Sequence, residues 1–96
     1  MKLVQPTGFE ILSTLEETGR NVASNIALHT ERDRNYLNTR FPQLMDYGLV
    51  EKIGPSENSG LYEITDRGKA VVRLRDKYDD TEEFEQLVES YLSDEL

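Results

Sequence analysis

Between Arg32 and Arg40 the chain places Arg34, Asn35, Asn38 and Thr39 at helical spacing, with an arginine at either end. An arginine fork pairs bidentately with guanine and a carboxamide with adenine, while a threonine hydroxyl serves several bases. Helix stability does not account for Asn35 and Asn38, because asparagine ranks low in helix propensity. Leu37, Phe41 and Leu44 fall opposite them at steps of four and three, as on a helix with one buried stripe. The chemistry this suggests is hydrogen bonding to base edges, with Arg32 and Arg40 available for phosphates. The simpler alternative is a solvated polar face, and the surrounding elements decide between the two.

Other chemistries find little support. The chain has no cysteine and one histidine, His29, so a metal centre is not expected. Acid pairs such as Glu16-Glu17 and Glu82-Glu83 are adjacent in sequence and do not face each other on a helix. No nucleophile motif or phosphate-binding glycine loop is visible, so neither an enzyme nor a cofactor is expected.

The elements that must position the Arg32–Arg40 segment can be read in order. Pro6 and Thr7 open a helix, with Thr7 the expected cap and Glu10 its capping-box partner. Phe9, Ile11, Leu12 and Leu15 form its apolar face, and Gly19 ends it. Arg20-Asn21-Val22 is a short extended link able to add a third strand to a hairpin. Ala23 to His29 makes about two turns of helix, with Ser24 or Asn21 as cap and Ile26, Ala27 and Leu28 available for burial. Thr30 and Glu31 turn the chain into a helix from Asp33 to Tyr47, where Asp33 is the expected cap. Pro42 predicts a kink or a looser final half.

Gly48 then stops that helix in a conformation that favours glycine. Leu49, Val50 and Ile53 form one strand; Leu61, Tyr62 and Ile64 form its return, around a polar tip from Gly54 to Gly60. Thr65 caps a helix expected to reach about Tyr78. Thr81 caps a last one carrying Phe84, Leu87, Val88, Tyr91 and Leu92 at spacings of three, one, three and one. A short helix, a turn, a longer helix and a hairpin make the expected fold α+β and mostly α. It is a winged helix-turn-helix with a three-helix core, a β-hairpin wing and one or two C-terminal helices.

The 96 residues suit one domain. Net charge is −8, which argues against a polyanionic partner until its location is considered. Residues 1 to 75 carry ten Lys or Arg against ten Asp or Glu, so the acidic excess lies beyond them. The expected division is a DNA-binding domain over residues 1–78 and an acidic amphipathic helix over 79–96. The apolar face of that helix is too large to leave bare, so it either folds back or dimerises, and a dimer is the expectation. With neither a membrane-length apolar run nor a signal peptide in view, a cytoplasmic location is expected.

Over about residues 7 to 75 the chain resembles winged-helix transcriptional regulators of the MarR and ArsR families, and most of all small haloarchaeal phage-repressor-like proteins. The resemblance is carried by Arg40-Phe41-Pro42-Gln43-Leu44, by Asp46-Tyr47-Gly48-Leu49-Val50 and by the run from Gly54 through Ile64-Thr65-Asp66-Arg67-Gly68. It implies that residues 33–46 are the recognition helix and 54–60 the wing tip. Many relatives carry Arg or Lys at that tip, whereas this chain has Glu57.

The function expected is a sequence-specific, homodimeric regulator of transcription, a repressor, that inserts helix 33–46 into the major groove of double-stranded DNA. Arg34, Asn35, Asn38 and Thr39 would read bases; Arg32, Arg40 and the wing-tip residues Ser56, Asn58 and Ser59 would touch the backbone. The alternative is a winged-helix protein-interaction module that does not bind DNA.

Overall fold

The structure, a computed structural model, describes residues 1–54 and 60–95. The wing-tip residues Ser56, Asn58 and Ser59, with Glu57, therefore lie outside the described residues. Among the described residues, five α-helices and three short strands follow the expected order: α1 Thr7–Thr18, β1 Asn21–Val22, α2 Ala23–Thr30, α3 Arg34–Asp46, β2 Val50–Ile53, β3 Leu61–Ile64, α4 Asp66–Arg73 and α5 Phe84–Glu95. The strands form one antiparallel sheet in the order β1-β3-β2. The link at Asn21–Val22 thus supplies the third strand, pairing Asn21 with Tyr62.

The core lies where α1, α2 and α3 meet the base of the sheet. Phe9, Ile11, Leu12 and Leu15 enter it from α1, Ile26 from α2, Leu37, Phe41 and Leu44 from α3, and Val71 from α4, all at most 1% exposed. Leu49, Val50 and Ile64 continue it into the wing. Helix α3 runs without interruption through Pro42, which is exposed.

Several expectations need correction. Thr7 does not cap α1; it is the first helical residue and is buried, while Pro6 holds the cap position without a side-chain bond. Backbone carbonyls serve the first turn instead, Val4 accepting from the Gly8 N–H at 2.7 Å and Pro6 from Glu10 at 3.0 Å. Neither Asn21 nor Ser24 caps α2, whose cap is Val22. The Asn21 carboxamide oxygen is engaged by the Val22 N–H and by the Asn25 side chain, each at 2.9 Å. Leu28 is not buried with Ile26 and Ala27 but stands 78% exposed on the opposite side of α2.

The helix after the wing stops at Arg73, and a 3₁₀ segment carries the chain over Arg75–Asp80. The Thr81 hydroxyl accepts from the Glu83 N–H at 3.0 Å, just before α5 begins. Helix α5 folds back on its own domain: Phe84 and Val88 join the core, Tyr91 and Leu92 are partly covered, and Leu87 is 36% exposed. An Arg67–Glu89 ion pair ties α4 to it.

Candidate nucleic-acid interface

Helix α3 is held from below by Leu37, Phe41 and Leu44, so its opposite side is fixed in space by packing. Asn35 and Thr39 are exposed on that side, while Arg34 and Asn38 are exposed on the flank that faces the wing. The helix begins on Asp33, whose carboxylate accepts the Asn35 N–H at 2.7 Å and the Tyr36 N–H at 3.3 Å. That bond satisfies two first-turn donors and commits the one carboxylate in the segment to the helix end, where negative charge is favourable. The expected capping role of Asp33 is therefore what the structure shows.

Three residues, Glu31 to Asp33, connect α2 to α3, and Glu31 turns the chain in a left-handed conformation at φ 57°. Its N–H and that of Arg32, at 3.1 Å, both reach the Ala27 carbonyl. The wing is joined to α3 through aromatic rings. Tyr62 of β3 stacks on Phe41 with centroids 4.0 Å apart and planes 3° from parallel. Burial raises the Tyr62 phenol above its ordinary range. Lys52, its cross-strand partner, places its ammonium over the same ring at 5.9 Å.

At the far end of the wing, Thr65 caps α4 by accepting the Gly68 N–H at 3.0 Å and donates to the Gly48 carbonyl at 2.6 Å. One hydroxyl thus fixes both the end of α3 and the start of α4. On the back of the wing Glu51 and Glu63 face each other across the strands, a repulsive pairing that Arg20 offsets by binding Glu63 at 3.3 Å.

The arginines divide into two groups. Arg20, Arg32, Arg67 and Arg73 are ion-paired with Glu63, Glu10, Glu89 and Glu16 respectively. Arg34, by contrast, has no ion-pair or hydrogen-bond partner among the described residues, and it borders an open groove of about 260 Å³. Ser24 at the start of α2, Asn38 on α3, and Gly60 and Tyr62 on the wing line the same groove. The first turn of α2, which borders the same groove, has no side-chain cap. Arg40 lies over the Tyr36 ring at 5.7 Å and donates from Nε to the Thr39 hydroxyl at 3.2 Å. Thr39 in turn donates to the Tyr36 carbonyl at 2.6 Å, which leaves its hydroxyl oxygen as an acceptor.

The structure therefore brings Arg34 and Asn38 to the groove beside the wing, and groups Thr39 with Arg40 and Tyr36 on another part of the helix. It sets Arg32 apart, bound through Nη2 to Glu10 of α1 at 2.7 Å. Sequence reasoning assigned Glu10 to a capping box and so missed this pair, as it missed the open start of α2. Only the contact between distant segments reveals either. Among the described residues, no group of three or more His, Cys, Asp or Glu side chains is placed to hold a metal ion, and no helix is long and apolar enough to cross a membrane.

No protein-family model matches the sequence, and no curated protein matches it. Among solved structures, the chain is similar in fold to the reduced form of MarR from E. coli, at 18% identity and a TM-score of 0.65. It is likewise similar to BpsR from Bordetella bronchiseptica, a protein whose DNA binding is regulated by 6-hydroxynicotinic acid, at 19% identity and a TM-score of 0.68. Each match covers 91% of this chain but only 65% and 64% of the respective neighbour, so the chain spans just under two thirds of their length. The fold is that of a winged helix-turn-helix protein, as in these MarR-type structures.

Proposed function

We propose that this protein is a sequence-specific DNA-binding regulator of transcription, a repressor, that lays α3 in the major groove. The observation that carries the reading is the exposed Arg34/Asn35/Asn38/Thr39 surface on a rigidly seated helix, within a fold shared with a protein known for regulated DNA binding. Arg34, Asn35, Asn38 and Thr39 read base edges, and Arg40 meets a phosphate. The wing residues Ser56, Asn58 and Ser59 complete the backbone contacts. A homodimer suits this mode, because two-fold pairing presents two recognition helices to two half-sites.

The test is fluorescence anisotropy of a labelled duplex titrated with protein over a range of salt concentrations. Binding that weakens steeply with salt, and a shallower salt slope for Arg40→Ala, support the reading. Absence of binding at every salt concentration, with another polypeptide co-purifying, would assign the scaffold to protein interaction instead.

A further inference from the structure

Helix α1 reaches the start of α3 at two points one turn apart. Thr7 places its hydroxyl 3.4 Å from that of Tyr36, and Glu10 binds Arg32. Arg32 sits two residues before Arg34, immediately ahead of the helix end that meets DNA in the reading above. Its Nη2 lies 2.7 Å from the Glu10 carboxylate, and the two side chains are 34% and 28% exposed. A carboxylate and a phosphate engage a guanidinium fork through the same geometry. One side chain therefore faces two anions, one built into the protein and one brought by the ligand.

We propose that Glu10 is an internal competitor for DNA, holding Arg32 in the free protein and limiting how many phosphates the protein neutralises. The proposal rests on the DNA-binding reading and adds to it a positioning residue outside the recognition helix. Exposure makes the competition reversible, since a part-solvated pair is only weakly held. Asp33 does not share this role, because its carboxylate is committed to the Asn35 and Tyr36 amides. Removing the Glu10 charge while keeping its shape releases Arg32 to the DNA backbone.

The experiment compares the wild-type protein with Glu10→Gln, Arg32→Ala and the double variant on a random-sequence duplex, recording affinity against salt. Glu10→Ala serves as a second release variant, and urea melts verify that each is folded. Each phosphate neutralised steepens the logarithmic slope by about 0.9. Glu10→Gln is expected to steepen it by that amount. The same variant should bind on the order of tenfold tighter near 50 mM salt, an advantage that shrinks about eightfold, to near parity, by 0.5 M. Arg32→Ala should keep the wild-type slope, and the double variant should match it.

Binding with an unchanged slope in both Glu10 variants overturns the proposal and leaves the DNA-binding reading intact. A slope flattened by Arg32→Ala alone also overturns it, since Arg32 would already be on a phosphate in the wild type. Failure of all five folded proteins to bind any duplex overturns the DNA-binding reading and this proposal together.

Discussion

Gly68 is the position where the wing base leaves least room. It lies in the first turn of α4, and a Cβ added there would stand 2.2 Å from the Leu49 carbonyl oxygen and 2.6 Å from Ile64 Cγ1. Both distances are far inside the ~3.5 Å at which non-bonded atoms begin to attract. The carbonyl cannot swing aside freely, because it accepts the Thr65 N–H at 3.0 Å. For Gly68→Ala, helix propensity alone favours alanine by about 1 kcal/mol. Overpacking costs roughly 1–3 kcal/mol, and disturbing the Thr65 bond costs about 1 kcal/mol more.

The net expectation for Gly68→Ala is a loss of about 2 kcal/mol. Gly8 occupies the first turn of α1, but its added Cβ would meet nothing nearer than Leu3 Cβ at 3.4 Å. Gly8→Ala should therefore keep most of the propensity gain. The two variants should differ by about 3 kcal/mol, or roughly 12–24 °C in Tm for a domain of this size. Equilibrium urea melts followed by circular dichroism measure the difference directly. A Gly68→Ala protein as stable as Gly8→Ala would refute the close packing of α4 against the wing.

Phe41→Ala removes the ring between α3 and Tyr62 and should cost about 3–5 kcal/mol, enough to leave a marginal fold in a thermal melt. Asp33→Asn keeps a good helix cap and removes a negative charge beside Arg32 and Arg34. Its stability should stay within about 1 kcal/mol of wild type, with tighter duplex binding at low salt in a titration. The Tyr62 phenol is raised by burial, so the folded state holds that proton more tightly than the unfolded state does. Its contribution to stability is complete below the unfolded value of 10.0 and is lost as pH rises through the folded one. Urea melts from about pH 8 to pH 11 should show less alkaline loss in Tyr62→Phe than in wild type.

The fold was legible where a residue type is tied to backbone geometry. Gly19 and Gly48 end helices at φ 76° and 75°, and Asp33 and Thr65 cap helices as expected. The Leu37/Phe41/Leu44 stripe fixed the orientation of α3, and with it the polar surface the helix leaves exposed. What escaped was decided between segments far apart in sequence. Thr7 looks like a cap until the helix is seen to start on it, buried and one position after Pro6, and Leu28 looks like core until α2 is seen to turn it outward. Arg32 and Arg34 are the same residue type on the same segment. Only the approach of Glu10, 22 positions before Arg32, separates their roles. The C-terminal helix shows the same limit, since its apolar stripe fits either its own domain or a second copy, and Phe84 and Val88 use the first.

The central claim, that the exposed face of α3 chooses a DNA sequence, is tested most directly by selection of bound duplexes from a random pool. The wild-type protein would be run beside Arg34→Ala and Asn38→Ala, and the recovered sequences compared. A defined motif is predicted for the wild type, with preference lost at a guanine for Arg34→Ala and at an adenine for Asn38→Ala. No enriched motif for the wild type, or one unchanged in both variants, would contradict it.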